Sequence, residues 1–140
     1  MTVTPHLFVY GTLMSSATGA LGQAERARLA GEARTLGPAT MAAARLYDLG
    51  RYPALAETGK TADTVHGEAL TLADPQRTLA WLDDYEGFIP GDYNLSEYAR
   101  LERQIRLADG AELAAWVYIF RRDVAALRPI TGGRWGRPQD

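Results

Sequence analysis

Two features of this 140-residue chain bring together groups suited to catalysis. The first is Glu86, at the end of the segment Asp74 to Glu86. Asp74 is a good N-cap, Pro75 suits a first helical position, and Gly87 can close the helix in the left-handed conformation. At 100° per residue, Trp81, Tyr85, Thr78, Leu82, Pro75, Glu86 and Leu79 fall, in that order, within one arc of about 160°. Asp83, Gln76, Ala80, Asp84 and Arg77 take the opposite arc, where a helix places solvated acids. Glu86 is thus the acid of this helix turned toward a core. Burial disfavours its charged form, and the C-terminal helix dipole disfavours it again, so both raise its pKa toward the range of a general base at neutral pH. The plainer reading is that the last turn frays and Glu86 turns to water.

The second feature is the turn Tyr10-Gly11-Thr12-Leu13, which follows the apolar run His6 to Tyr10. A strand ending at glycine lets backbone N–H groups converge without side-chain obstruction. Such a nest can hold a carboxylate or a developing oxyanion. Its plainer reading is an ordinary strand-to-loop turn.

Other candidates carry less. Ser15 and Ser16 lack the G-x-S-x-G setting of a hydrolase nucleophile. The glycines from Gly19 to Gly22 and Gly132-Gly133 lack the spacing and the lysine of a phosphate loop. His66-Gly67-Glu68 offers a ligand pair, although one histidine in a strand is more often structural. Arg100, Arg103 and Arg106 recur every third residue, which alternates faces on a strand and makes no basic stripe for nucleic acid. The chain has no cysteine and two histidines, so thiol nucleophiles, iron–sulfur clusters and cysteine zinc sites are excluded. No cofactor and no metal site are expected.

The elements that must position these groups read as follows. His6 to Tyr10 is a buried strand, and Leu21 to Ala30 a short helix with a weak stripe. Glu32 to Thr40 reads as two extended pieces broken at Gly37-Pro38. Met41 to Tyr47 and Thr64 to Leu72 are strands, and Gly50 to Pro53 is extended or turned. A loop is expected at Pro90-Gly91. Tyr98 to Leu107 alternates, Ala108-Asp109-Gly110 is a turn signal, and Ala111 to Phe120 is a second strand of the same hairpin. That last strand is apolar on both faces, with Leu113, Ala115, Val117 and Ile119 against Trp116, Tyr118 and Phe120, as expected of a barrel wall or of a sheet under helices. From about residue 121 the tail reads as irregular.

Length and composition bound the rest. At 15.3 kDa and 46% hydrophobic residues the chain fits one domain, residues 1–140, able to bury a core without a staple. A formal net charge of −2 gives no overall attraction to nucleic acid or anionic lipid. No apolar run approaches the roughly 20 residues that span a bilayer, and no secretory signal is visible. The expected location is the cytoplasm, without nucleic-acid or membrane partners; composition does not specify an oligomeric state.

In order along the chain, several segments resemble the gamma-glutamylcyclotransferase-like family, which includes the AIG2-like proteins. They are Leu7-Phe8-Val9-Tyr10-Gly11-Thr12-Leu13-Met14, Leu36-Gly37-Pro38-Ala39-Thr40, Leu46-Tyr47-Asp48-Leu49-Gly50 with Tyr52-Pro53-Ala54-Leu55, and Val65-His66-Gly67-Glu68. Leu82-Asp83-Asp84-Tyr85-Glu86-Gly87, Tyr98-Ala99-Arg100 and Ala115-Trp116-Val117-Tyr118 continue the series. Two departures stand out: Thr131-Gly132-Gly133-Arg134-Trp135 where members often have Gly-Asp-Trp, and neutral Met14-Ser15-Ser16 where many have a basic residue.

The resemblance implies an α+β fold, a small mixed β-barrel of about six or seven strands with a few flanking helices. It implies cyclisation of a γ-glutamyl amine or amino acid to 5-oxoproline and a free amine. Glu86 would be the catalytic base, Tyr10, Gly11, Thr12 and Leu13 would bind substrate, and Pro53 and Tyr118 would form pocket wall. The partner would be a small γ-glutamyl compound. Three other readings stand beside this one: a pocket that binds a metabolite without converting it, an acyl transferase removing a γ-glutamyl protecting group, and a structural or interaction protein with no formed pocket.

Overall fold

The computed structural model describes residues 4–17, 19–88 and 96–135. Its elements, in order, are β1 (His6–Val9), α1 (Gln23–Glu32), β2 (Ala33–Ala42), β3 (Ala44–Asp48), β4 (Pro53–Glu57), β5 (Thr64–Leu72), α2 (Pro75–Glu86), β6 (Tyr98–Leu107), β7 (Glu112–Phe120) and β8 (Arg128–Pro129). A closed barrel runs β1-β5-β2-β6-β7, and a separate small sheet runs β4-β3-β8. The barrel is mixed because β1 lies parallel to β7 while its other pairings are antiparallel. Five strands close it, fewer than the six or seven expected, because the remaining three form their own sheet.

The period-2 pattern divides the core in two. Phe8, Met41, Val65, Ile105, Val117 and Ile119 fill the barrel. Leu7, Val9, Leu70, Leu72 and Tyr118 face outward and are covered by Leu29 of α1 and by Leu79 and Leu82 of α2. This explains why β7 is apolar on both faces: one lines the barrel and the other lies in the second core. The two helices are joined at Glu32, whose carboxylate accepts from the Thr78 hydroxyl at 2.6 Å and the Trp81 indole N–H at 3.0 Å. Among the described residues no helix is long and apolar enough to cross a membrane.

Several expectations need correction. The strand expected over Met41 to Tyr47 is two strands. Ala43 sits at φ 62°, held there as its N–H donates to the Asp63 carbonyl and its own carbonyl accepts from Thr58 and Gly59. That left-handed residue turns the chain out of the barrel and into the small sheet. Conversely, Gly37-Pro38 does not break the chain: β2 runs through it with a bulge between Thr35 and Gly37, where one residue is left over. Helix α1 starts later than Leu21, because Gly22 is left-handed at φ 77°. The tail is also less irregular than expected. β8 pairs with β3, and a 3-10 turn over Thr131–Gly133 brings Gly133 against the Thr64 carbonyl, where a Cβ would meet the oxygen at 2.0 Å. The Pro90-Gly91 loop lies outside the described residues.

Candidate active site

Helix α2 ends as its sequence requires. Asp74 accepts from the Arg77 N–H at 3.3 Å, Pro75 opens the helix, and Gly87 closes it at φ 73°. This cap fixes the orientation of Glu86, one residue earlier. Glu86 lies on the wall of a cavity of about 250 Å³, and Tyr10, Gly11, Thr12, Leu13, Pro53 and Tyr118 border the same cavity. Residues distant in sequence, and singled out from it separately, are therefore neighbours in space.

Each wall has a local cause. The turn after β1 is closed by the Met14 N–H donating to the Gly11 carbonyl at 3.1 Å. Its far end is pinned by Glu68 of β5, whose carboxylate accepts from the Ser15 N–H at 2.8 Å, the Ser15 hydroxyl at 2.9 Å and the Thr35 hydroxyl at 2.7 Å. Glu68 is thus an architectural acid, and Ser15 serves it as a donor. Gly11 is glycine because Pro53 packs on it: a Cβ there would lie 2.9 Å from the proline ring. No hydrogen bond among the described residues engages the N–H groups of Gly11, Thr12 or Leu13, and all three residues face the cavity. The hydroxyl of Tyr10 is already used, donating to the Tyr118 carbonyl, so Tyr10 presents its backbone and ring edge.

The opposite arc of α2 holds a surprise. Asp83, expected in solvent, is buried. Arg100 of β6 grips it through two hydrogen bonds of 2.7 and 3.0 Å, and the Tyr118 hydroxyl donates to it at 2.7 Å. On the helical wheel Asp83 is at the edge of the polar arc, only about 40° from Leu79, and β6 and β7 cover that edge near the C-terminus. The pair is well made, being bidentate with a third donor. It clamps the last turn of α2 to the barrel and holds Tyr118 in the cavity wall. Arg103 and Arg106 find their own acids, Glu57 and Glu112, so the three arginines make separate contacts.

Glu86 is partly accessible from the cavity and otherwise enclosed by protein. Its pKa is raised from 4.5 to about 8, first by burial and second by the charge of Glu97. Glu97 also lines the cavity, as do Tyr52, Tyr85 and Tyr98. Sequence reasoning missed these four. Glu97 precedes β6 and shows no periodic signal; only the hydrogen bond from its N–H to the Gly87 carbonyl, 3.2 Å, brings it beside the end of α2. The Tyr52 hydroxyl donates to its carboxylate at 3.2 Å, and the Tyr98 hydroxyl donates to the Pro53 carbonyl at 2.9 Å. The site so assembled has a carboxyl that exchanges a proton near neutral pH, opposite a turn with unengaged N–H donors, between apolar and aromatic walls. Among the described residues, no group of three His, Asp or Glu side chains is placed to hold a metal ion.

Residues 7–137 match the family Gamma-glutamyl cyclotransferase, AIG2-like. The chain belongs to that family. Solved structures agree on the fold of this AIG2-like chain. Protein ytfP from Escherichia coli is 28% identical, with 96% of this chain and 99% of that one covered, at a TM-score of 0.63. An aig2-like protein from Mus musculus is 21% identical over 97% of each chain, at a TM-score of 0.66. A structure titled gamma-glutamyl cyclotransferase is 18% identical, covering 82% of this chain and 65% of that one, at a TM-score of 0.59. No curated protein matches the AIG2-like chain significantly.

Proposed function

We propose that this chain cyclises a γ-glutamyl compound, releasing 5-oxoproline and the free amine. The observation that carries this reading is the position of Glu86, its pKa raised to about 8, on the wall of a cavity it shares with the Gly11–Leu13 turn. The nucleophile arrives with the substrate, so the protein has to supply a base, a geometry and oxyanion donors. Glu86 takes a proton from the α-ammonium. The freed amine attacks the γ-carbonyl carbon and a ring C–N bond forms. The amide C–N bond breaks as Glu86 passes its proton to the leaving nitrogen, and the second proton of the new ring nitrogen returns to Glu86 and departs with the released amine as its ammonium. A base with a pKa of about 8 is well matched to an ammonium that releases its proton at or somewhat above that pH. N–H groups of the Gly11–Leu13 turn hold the substrate carboxylate or the oxyanion, and one such donor is worth roughly 3–4 kcal/mol in acyl transfer. Folding the substrate so that amine meets carbonyl contributes through effective molarity. The small molecule is the only partner this reading needs, and a soluble enzyme of the cytoplasm fits it.

The test is incubation of the purified protein with a pooled panel of γ-glutamyl compounds, reading release of 5-oxoproline. Release by the parent chain and its loss in a folded Glu86→Gln variant is the expected result. Near-parental turnover by that variant removes Glu86 from the mechanism. Ligand-dependent stabilisation without product would turn the reading to a binding protein.

A further inference from the structure

The cavity is charged on one side only. Two carboxylates, Glu86 and Glu97, line it, and no Lys, Arg or His does so among the described residues. Two nearby cations are engaged elsewhere: Arg100 is held by both oxygens of Asp83, and Arg26 donates to the Thr12 and Gly19 carbonyls at 2.8 and 2.9 Å. Cyclisation employs one carboxylate, Glu86. Glu97 is left over, and its position is built: its N–H is tied to Gly87 and its carboxylate accepts from Tyr52. Tyr52 is 36% exposed, so this pair stands where the cavity meets solvent, and Tyr85, equally exposed, stands at the rim with it. A fixed carboxylate flanked by tyrosine rings is the chemistry that receives an ammonium group, by ion pairing and by cation–π attraction.

Resting on the cyclisation reading, we propose that Glu97, oriented by Tyr52, is the residue that sets leaving-group specificity, and that the favoured substrates are γ-glutamyl amides whose released amine carries a second positive charge. An anionic leaving group meets like charge at the same point, with no basic side chain among the described lining residues to offset it, so amides of amino acids are disfavoured. Selection against the wrong substrate by an uncompensated charge is as effective as attraction of the right one. The arrangement of the other charges is consistent. The α-carboxylate of the substrate goes to the neutral N–H donors of the turn, and the α-ammonium goes to Glu86.

The experiment compares three γ-glutamyl amides of equal length, those of diaminobutane, pentylamine and aminobutyrate, by kcat/KM for 5-oxoproline release and by thermal shift. The expected order is cation, then neutral, then anion in both readouts. In Glu97→Gln the cation-to-neutral ratio of kcat/KM falls at least tenfold, about 1.4 kcal/mol. Because each ratio is taken within one variant at one pH, any change in the basicity of Glu86 cancels. Tyr52→Phe, which removes the donor and keeps the ring, narrows the ratio part-way, and added salt narrows it in the parent chain. Equal rates and shifts for the three amides, or an unchanged ratio in Glu97→Gln, overturns the assignment. Absence of 5-oxoproline from all three, with the charge order preserved in the thermal shifts, overturns cyclisation and leaves the assignment of Glu97 as a charge-selecting residue standing.

Discussion

Glu86 shows how strongly surroundings reset a side chain. Burial is the larger cause of its raised pKa and the charge of Glu97 the smaller. On the proposed cyclisation Glu86 must be ionised to act as a base, so kcat/KM should rise with an inflection near pH 8 rather than near the ordinary 4.5. In Glu97→Gln that inflection moves to lower pH, since one of the two causes is removed; a pH–rate profile with an inflection near 4.5 in the parent chain would contradict the proposed environment. The same shift has a consequence for stability. A carboxyl whose pKa is raised on folding contributes stability in full below pH 4.5, and that contribution is lost as pH rises through about 8. Glu86→Gln does not ionise, so its Tm should match the parent's at pH 4.5 or below and exceed it above pH 8, the gap growing at up to roughly 1.4 kcal/mol per pH unit between those limits. Thermal melts across pH check this, and a gap that is independent of pH would refute it.

At the scale of elements, the site depends on how α2 is held at both ends. Near its beginning and middle, Glu32 at the end of α1 accepts from Thr78 and Trp81, and Arg28 lies over the Trp81 ring at 4.5 Å. These donors lower the Glu32 pKa from 4.5 to about 2, the Thr78 hydroxyl most, then the Trp81 N–H. A depressed carboxyl contributes stability above pH 4.5 and loses it as pH falls through about 2. Glu32→Ala should therefore lower Tm by a few degrees at neutral pH, with the difference closing toward pH 2. A Tm loss that persists undiminished in acid would mean that the staple acts through packing alone. At its other end, α2 is clamped by the Arg100–Asp83–Tyr118 group, which couples the helix that carries Glu86 to the strand that forms the facing wall.

Over the whole molecule, barrel closure brings the two halves of the site together. β1 must lie parallel to β7 and antiparallel to β5 at once, and the fit at β5 is close. A Cβ on Gly67 would lie 2.3 Å from the Val9 carbonyl and 2.8 Å from the Phe8 ring. The obstructing carbonyl is backbone, so the strand would have to move. Gly67→Ala should cost more than about 2 kcal/mol by denaturant melt, because overpacking of this kind cannot be relieved by a rotamer change. It should also lower 5-oxoproline release, since β1 leads directly into the Gly11–Leu13 turn. A variant as stable as the parent would show that the barrel has slack at this crossing.

Where signals are local, the amino-acid sequence was sufficient. The caps and bounds of α2, the β6–β7 hairpin, the two-faced β7 and the inward turn of Glu86 all follow from short-range periodicity and turn chemistry, which act within a few residues. The break at Ala43 was not legible, because an alanine reaches φ 62° only when three hydrogen bonds from other segments hold it there. Asp83 was misplaced for a related reason: a helical wheel gives a direction but not what covers it, and Arg100 and Tyr118 arrive from strands far along the chain. Glu97 and Tyr52 carried no signal of their own, since their relation to Glu86 exists only once β4, α2 and β6 converge. Local propensity thus determined which residues point where within each element. Tertiary packing alone decided which of them meet, and so gave the cavity its second carboxylate and, among the described residues, no basic side chain in its lining.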